Sequence, residues 1–424
     1  MLLGIRVFLF GLRCLLVEGF FCAKRRVSTK PSRLQGEPFT SPEPMGRLDA
    51  WHNVSRRVLV TGGAGFIGSF LTDALVRRGD RVTVYDSLDR QVHGRRRPTY
   101  LNAEAEFVQA DIRDAEKISR ALRGVNVVFH LAARVGVGQS NYEIYDYADV
   151  NIGGTARLMQ SVIDARGDVE KVIMTASMTS YGEGDYDCPR CGLVRPDLRS
   201  DKEVDGGNWE PRCSACHSTL GPKPTPERTE LKNNSVYSIT KATQEHLLMH
   251  TGRLFDLPTV AMRCFNVYGP RQSLSNPYTG VAAIFISRIK AGRMPILYED
   301  GLQTRDFVSV HDVTDALVIA MDSSAADGRV FNVGSGSRTT ITEIAQRISA
   351  LLGGSGDLEI TGTFRKNDIR HCYADISQAN TTLGWRPKVL LENGLRELIE
   401  WAEGEESADG FEAAQAQLRR RLLL

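Results

Sequence analysis

The stretch RVLVTGGAGFIG, residues 57–68, decides the fold of this 424-residue chain. A short apolar run leads into Gly62, Gly65 and Gly68, and a helical pattern of apolar residues follows at residues 66–78. Glycines permit a tight turn and let the backbone approach a pyrophosphate, while the next helix offers its N-terminal amide groups. The stretch therefore predicts a strand, a dinucleotide-binding turn and a helix.

The alternation of strand and helix continues downstream of this turn. Further runs typical of buried strands cover residues 81–85, 106–109, 125–130, 171–175 and 259–263. Such alternation predicts the α/β class, here a Rossmann-type doubly wound parallel sheet covered on both faces. Helical patterns at residues 281–291, 313–321 and 341–352 then predict a smaller α/β substrate-binding part.

The predicted organisation has four parts along the chain. These are a leader or linker (1–54), a dinucleotide-binding domain (55–265), a substrate-binding part (266–404) and a tail without a motif (405–424). A segment rich in Pro and Gly, residues 183–234, interrupts the first domain and indicates an insertion. A predicted helix at residues 236–253 follows it directly.

The leader and the overall charge limit the location and the partners. The first 22 residues are rich in Leu and Phe, but Arg6, Arg13 and Glu18 interrupt them. A membrane span needs about 20 mostly apolar residues, so these charges argue against one. A signal or transit peptide and a start codon assigned too far upstream stay open as alternatives. The formal net charge of +2 gives no reason to expect nucleic acid, and we expect a cytoplasmic protein without a membrane partner.

Acidic residues follow the second and third predicted strands. Asp86 lies 18 residues beyond Gly68, where a carboxylate can accept hydrogen bonds from ribose hydroxyls and repel a 2′-phosphate. This favours NAD over NADP, although Arg90 and Arg95 lie nearby. Asp111 is a candidate adenine contact, and an N-cap of the next helix is an almost equally good interpretation.

Tyr237 and Lys241 are the candidate catalytic pair. Positions i and i+4 share a face of a helix, so Lys241 can lie beside the Tyr237 phenol and lower its pKa. A free phenol has a pKa of about 10, too high for a base at neutral pH. Ser177 follows the fifth strand, whose carboxyl end faces the same cleft, and its hydroxyl can hold a substrate oxygen.

Four of the eight cysteines form two close pairs in the insertion. CPRCG carries Cys188 and Cys191, and CSAC carries Cys213 and Cys216 after 21 intervening residues. This pattern predicts a zinc ribbon in which four thiolates hold a structural Zn²⁺ and leave no open position. Four unligated thiols, or a redox pair, are the alternatives.

Several motifs in a fixed order carry a family resemblance. After TGGAGFIG come HLAA at residues 130–133, Ser177 four residues before Tyr181, and Tyr237-x-x-x-Lys241. RCFNVYGPRQ (263–272) and DGLQTRDFVSVHDV (300–313) follow. Over about residues 56–404 the chain resembles the extended short-chain dehydrogenase/reductase superfamily, specifically its NAD-dependent nucleotide-sugar epimerases and dehydratases.

The resemblance implies roles for individual residues. Tyr237 would be the base, Lys241 its pKa tuner and ribose ligand, and Ser177 the partner of the oxidised hydroxyl. The implied NAD contacts are Gly62, Gly65, Phe66, Ile67, Gly68, Asp86, Asp111, Ile112, Leu131, Ala132, Ala133, Asn151, Tyr237 and Lys241. Asn266, Arg305 and Arg365 would contact the nucleotide-sugar or its diphosphate. For Arg305, a structural ion pair with Asp306 or Asp300 is the alternative.

The residues after Ser177 narrow the reaction. Dehydratases of the family carry Asp-Glu there, and its sugar-acid decarboxylases carry a glutamate, whereas this chain has Met178 and Thr179. What remains is oxidation at one carbon and return of the same hydride to the other face, which is 4-epimerisation. With W-E-P at 209–211 and QSLSNPYTGV at 272–281, the chain resembles the dTDP-L-rhamnose 4-epimerase group. Another nucleotide-sugar epimerase, an NAD(P)-dependent keto-sugar reductase and a cofactor-binding scaffold are the alternatives; family members are often homodimers.

Overall fold

A computed structural model describes residues 55–165, 167–278 and 280–424. The leader predicted for residues 1–54, with its alternatives of a signal or transit peptide, lies outside these residues. Within the described part of the chain, no helix has both the length and the apolar composition needed to cross a bilayer.

The strands are short, except those of one central sheet. In chain order they are β1 (Arg57–Thr61), β2 (Arg81–Asp86), β3 (Glu106–Gln109), β4 (Val127–His130), β5 (Lys171–Ser177), β6 (Tyr186–Cys188), β7 (Gly192–Val194), β8 (Gly221–Pro222), β9 (Thr259–Cys264), β10 (Asn266–Tyr268), β11 (Ile296–Leu297), β12 (Thr304–Arg305), β13 (Phe307–Ser309), β14 (Arg329–Val333), β15 (Thr339–Thr340), β16 (Glu359–Ile360) and β17 (His371–Cys372).

The helices connect these strands. They are α1 (Phe66–Arg77), α2 (Arg90–His93), α3 (Ala115–Ala121), α4 (Val137–Ser140), α5 (Ile144–Tyr147), α6 (Gly154–Asp164), α7 (Asp201–Val204), α8 (Val236–Leu254), α9 (Val281–Lys290), α10 (Val310–Asp322), α11 (Ile341–Leu351), α12 (Ser377–Leu383), α13 (Leu391–Glu403) and α14 (Phe411–Arg420). A π-helical turn, Ala148–Gly153, precedes α6.

Seven parallel strands form the central sheet in the order β14-β9-β5-β4-β1-β2-β3. All seven residues of β5 are buried, as expected for a strand covered on both faces. Its register places Ser177 beside Cys264 of β9. The order runs outward in both directions from β1, so the predicted Rossmann-type sheet is confirmed.

Helices cover both faces of the sheet. On one face Leu71 of α1 and Leu317 of α10 belong to one apolar core. On the other face Ile118 of α3, Leu158 of α6 and Leu248 of α8 belong to a second core. A third core, formed by α9, α11 and α13, holds the smaller C-terminal part together.

The domain boundary predicted at residue 265 does not separate these parts. β14 pairs with β9 along its full length and completes the sheet. α10 packs on the same core as α1. Both elements lie in the segment 266–404. That segment therefore contributes to the central sheet as well as to the smaller C-terminal part.

The tail, for which the sequence predicted no element, contains helix α14. The Gln417 side-chain oxygen accepts hydrogen bonds from the hydroxyls of Tyr142 (2.8 Å) and Tyr278 (2.9 Å). The Phe411 ring lies 6.3 Å from that of Tyr298, centroid to centroid. The tail therefore packs against both the sheet part and the C-terminal part.

We expect Gly252→Ala to destabilise the chain, although alanine normally favours a helix interior by up to about 1 kcal/mol. A Cβ at Gly252 would overlap the side chain of Thr259, where α8 packs on β9. Overpacking of this kind costs roughly 1–3 kcal/mol, measurable by urea unfolding. His250→Ala, at an exposed site of the same helix, should change stability by less than about 0.5 kcal/mol. A Gly252→Ala variant as stable as the wild type would contradict the packing.

Candidate active site

A cleft of about 540 Å³ opens at the carboxyl ends of the central strands. Parallel strands gather their C-terminal loops at one edge, which is where ligands bind in such sheets. Most of the predicted site residues line it, namely Gly62, Gly65, Phe66, Ile67, Gly68, Asp86, Asp111, Ile112, Leu131, Ala132, Ala133, Ser177, Tyr237, Lys241 and Asn266.

The turn after β1 is packed so tightly that two of its glycines have no room for a side chain, which leaves the backbone bare toward a dinucleotide. Gly62 has φ +70°, and a Cβ there would lie 2.7 Å from the Ala132 backbone nitrogen. A Cβ at Gly68 would overlap the Gly62 carbonyl. The bare turn and the N-terminus of α1 can therefore hold the pyrophosphate of NAD close to the backbone.

Asp86 is held rigidly at the end of β2. One carboxylate oxygen accepts from the Ala64 amide at 3.1 Å and the other from the Leu88 amide at 2.8 Å. Each oxygen keeps a free lone pair for a ribose hydroxyl. The position fits the predicted preference for NAD.

Asp111 does not cap the next helix. That role belongs to Asp114, whose carboxylate accepts from the Lys117 amide at 3.1 Å. Asp111 instead pairs with Arg113, whose hydrogen bonds lower the pKa of Asp111. The capping interpretation was wrong, while the position of Asp111 in the cleft wall is compatible with an adenine contact.

Tyr237 lies in the first turn of α8, which Ser235 caps by accepting from the Ser238 amide. The Tyr237 amide donates to Ser140 Oγ at 2.9 Å, and the Tyr147 ring meets the Tyr237 ring edge-on. Burial raises the pKa of Tyr237 to about 12, with the Ser177 hydroxyl opposing that shift. The phenol is thus protonated at neutral pH in the protein alone.

Lys241 is buried one helical turn further on. Its Nζ donates to the Thr175 carbonyl at 2.6 Å, and burial lowers its pKa to about 8. No lowering of the Tyr237 pKa by Lys241 appears, and burial of the phenol is the largest cause of the raised pKa.

Asn151, for which the resemblance implies a contact with NAD, is not among the residues that line the cleft. Its side chain accepts from the Arg134 amide at 2.7 Å and donates to the Arg134 carbonyl at 3.1 Å and to Thr240 Oγ1 at 2.9 Å. These bonds fasten the loop after β4 to α8. Asn151 therefore holds the cleft wall in place, and its contact with NAD stays a prediction.

The three predicted substrate contacts separate into two places. Asn266 lines the cleft, and its buried Oδ1 has no hydrogen-bond partner among the described residues, as a ligand contact would require. Arg305 and Arg365 lie outside that lining and meet on Asp368, at 3.0 and 2.8 Å.

Neither Asp306 nor Asp300, the two alternative ion-pair partners of Arg305, pairs with it. Asp306 accepts from the backbone amides of Ser335 (2.6 Å) and Ala374 (3.0 Å). Asp300 accepts from Arg370 at 2.7 Å. Arg305 pairs with Asp368 because β12 lies beside β17, which follows the 364–370 loop.

Sequence reasoning missed further residues of the site. Gln272 lines the cleft with a buried Oε1 that has no partner within the described ranges. It is the last residue of the motif RCFNVYGPRQ, so that motif was the available signal. Tyr147 and Asp368 lie in no such motif. Their contacts, with Tyr237 and Arg305, join residues that are far apart in the sequence.

The four paired cysteines come together in the insertion. Their sulfur atoms all lie within 4.8 Å of one another, and Cys188 Sγ and Cys216 Sγ are 3.3 Å apart. Strands β6, β7 and β8 form the small antiparallel sheet beside them. Four thiolates at such distances suit a tetrahedral metal ion.

Comparison with known proteins identifies two family models and individual proteins that are similar to this chain. The model of the NAD dependent epimerase/dehydratase family matches residues 58–195, and the GDP-mannose 4,6 dehydratase model matches residues 214–398. A dTDP-L-rhamnose 4-epimerase from Burkholderia thailandensis is 38% identical over 82% of this chain and 94% of its own length.

Solved structures agree with this similarity. UDP-glucose 4-epimerase from Thermotoga maritima, with UDP-glucose, has a TM-score of 0.68 and 32% identity over 82% of this chain and 98% of that one. UDP-glucose 4-epimerase from Thermus thermophilus, in complex with NAD, has a TM-score of 0.66 and 28% identity over 82% of this chain and 100% of that one.

Lys241 should make the cofactor-free protein more stable as the pH rises from about 8 to 10.5. In that window the unfolded chain holds a proton that the folded chain has released, so raising the pH disfavours unfolding by up to about 3 kcal/mol. Urea unfolding of wild type and Lys241→Met across this window isolates the effect, because other groups contribute equally to both. Equal pH slopes in the two proteins would contradict it, and Lys232→Met, which removes a more exposed lysine, should behave as wild type.

Proposed function

Because the chain belongs to the NAD-dependent epimerase/dehydratase family, we propose that it is a nucleotide-sugar 4-epimerase that interconverts dTDP-L-rhamnose and dTDP-6-deoxy-L-talose. The observation that carries the proposal is that Ser177, Tyr237 and Lys241 share one cleft with the glycine turn. A base, a hydroxyl ligand and a dinucleotide site are thereby in reach of one sugar carbon.

Epimerisation is favoured over dehydration by the residue after Ser177. Met178 is buried and lines the cleft where the family's dehydratases carry an acid. A thioether cannot protonate a leaving hydroxyl. Asp86 and Asp111, two carboxylates of the cleft, are assigned to the adenosine side of the cofactor.

The proposed mechanism moves one proton and one hydride in each direction. Tyr237 takes the proton of the C4 hydroxyl while Ser177 donates a hydrogen bond to its oxygen. Bound NAD supplies the acceptor, and then the donor, of the C4 hydride. After the 4-keto sugar turns its other face to the cofactor, Tyr237 returns the proton and the inverted alcohol forms with no net oxidation.

Lys241 acts on the base and on the cofactor. Lys241 lines the same cleft one turn after Tyr237, and its ammonium would donate a hydrogen bond to a ribose hydroxyl of the cofactor. Its ammonium joins the charge of oxidised NAD in favouring a phenolate at Tyr237. Without both charges, the burial that raises the Tyr237 pKa would keep the base protonated.

The nucleotide part of the substrate is assigned to Asn266, Arg305 and Arg365. The unpartnered Asn266 Oδ1 points to a hydrogen-bonded substrate group. The Arg365 guanidinium is 31% exposed and suits a diphosphate oxygen. The terminal nitrogens of Arg305 already donate to Asp368 and to backbone carbonyls, so Arg305 would offer its Nε–H and its positive charge. Asp368 accepts a hydrogen bond from each of these arginines and keeps them side by side.

The sugar itself is the finer part of the proposal. It is supported by the Burkholderia relative and by the W-E-P and QSLSNPYTGV segments. A UDP-hexose or UDP-hexuronate epimerase is the alternative, as the Thermotoga relative binds UDP-glucose. A keto-sugar reductase that releases NAD(P) is disfavoured by Asp86.

Two further properties belong to the proposal. A structural Zn²⁺ would be held by Cys188, Cys191, Cys213 and Cys216, whose sulfur atoms already cluster. A homodimer is supported by apolar side chains on α5 and α8: Tyr145 and Ile239 are 76% and 49% exposed.

Incubation with dTDP-L-rhamnose and no added cofactor should give a sugar inverted at C4, seen by proton NMR, without net NADH. Tyr237→Phe should lower that rate by at least about 10²-fold, because the proton acceptor is lost. Tyr373→Phe, which removes a hydroxyl outside the cleft, should keep the wild-type rate. No inversion with dTDP-, UDP- or GDP-sugars in the presence of NAD would reject the epimerase assignment.

The purified protein should contain about one zinc ion per chain. Cys213→Ser should remove the metal, measured by elemental analysis, because a closed four-thiolate site loses a ligand. Cys372→Ser changes a buried cysteine outside the cluster and should leave the zinc content unchanged. Metal-free wild-type protein, or full zinc in Cys213→Ser, would refute the site.

A further inference from the structure

Arg199 lies in the insertion, residues 183–234, and makes a buried contact with the C-terminal part of the chain. The Arg199 side chain is 3% exposed. Its two terminal nitrogens bond the two carboxylate oxygens of Glu299, each at 2.9 Å. A bidentate pair of this kind fixes the orientation of the guanidinium as well as its position.

The same guanidinium also supports the arginine loop, which we define as residues 364–370. Arg199 Nη2 donates to the Asp368 carbonyl at 3.2 Å. The guanidinium carbon lies 5.2 Å from the centroid of the Phe364 ring. Arg199 therefore contacts the arginine loop at two points, and Glu299 fixes the orientation of the Arg199 guanidinium.

Asp368, the residue that Arg199 supports, sets the spacing of two arginines. One Asp368 oxygen accepts from Arg305 at 3.0 Å and the other from Arg365 at 2.8 Å. Burial favours the neutral acid, but Arg365, Arg305 and Arg199 together hold the pKa of Asp368 below its usual value. Movement of Asp368 would thus move both guanidinium groups.

A second set of contacts ties the insertion to the end of the arginine loop. Glu183 accepts from the Arg370 amide at 2.7 Å. Glu210 accepts from Arg370 Nη2 at 2.6 Å and pairs with His371 Nε2 at 2.9 Å. The loop is therefore held by the insertion at both of its ends.

We propose that Arg199 is a positioning residue for the diphosphate of the substrate, and that the insertion is the brace that holds Arg305 and Arg365 at the spacing a nucleoside diphosphate requires. The inference rests on the proposed function, which assigns those two arginines to the diphosphate. Displacement of binding groups by about 1 Å is enough to lose much of their contribution.

Arg199→Met should raise the Kd for dTDP, measured by titration calorimetry, and the KM for the nucleotide sugar on the order of tenfold, while kcat changes less than about threefold. The variant can fold because Glu299 keeps Arg370 as a partner at 2.8 Å. Arg199→Lys retains the charge at Glu299 but lacks the planar fork, so it should fold and still raise Kd and KM.

Lys232→Met is the matched control. Lys232 lies in the same insertion and pairs with Asp197 at 2.9 Å, but the Asp197 side chain is 92% exposed. The control variant should leave Kd, KM and kcat unchanged. If both Arg199 variants lower the unfolding temperature but keep the wild-type Kd and KM, Arg199 is only structural and the proposal is overturned.

Arg305→Met separates this inference from the proposed function. If Arg305→Met binds dTDP as tightly as the wild type, the diphosphate assignment itself fails. If Arg305→Met weakens dTDP binding and the Arg199 variants do not, the assignment stands and the brace is refuted. Weaker binding in all three, with kcat preserved in the Arg199 variants, is the expected result.

Discussion

The buried, positively charged Arg370 side chain pairs with carboxylates from the insertion and from the C-terminal part, and these ion pairs join the insertion to the rest of the molecule. Arg370 has no exposed side-chain surface, and its guanidinium contacts Glu210, Glu299 and Asp300. Leaving a buried charge without its partner costs several kcal/mol. The insertion therefore cannot move away without exposing or stranding these charges. These ion pairs fix the insertion against the C-terminal part of the chain.

The parallel sheet imposes the second constraint, which brings the chemistry together. Its strands all end at one edge, so Asp86 at the end of β2, Ala132 after β4 and Ser177 at the end of β5 meet in one cleft. Helix α8 begins at that edge, and its first turn adds Tyr237 to the cleft. Burial of Tyr237 at the cleft opposes ionisation of its phenol and raises its pKa.

The sequence predicted the elements that local pattern controls. Six strands of the sheet and helix α8 were placed within about two residues, because buried strands and the glycine turn leave strong local signals. β14 was missed, since RVFNV is a short run that becomes a strand only beside β9. Asn151 was assigned to the cofactor, but its contacts with Arg134 and Thr240 depend on how α6 and α8 pack.

By itself the sequence determined the Rossmann-type sheet, the cofactor class and the four-cysteine set, and it singled out Ser177, Tyr237 and Lys241, which line one cleft. Each of these features depends on residue types at characteristic positions in the pattern of strands and helices. Only the tertiary structure decided which charges compensate one another: Arg305 with Asp368, Arg199 with Glu299, and Arg370 with three carboxylates. These pairs join residues up to 160 positions apart. Their geometry follows from burial and packing, which no local pattern encodes.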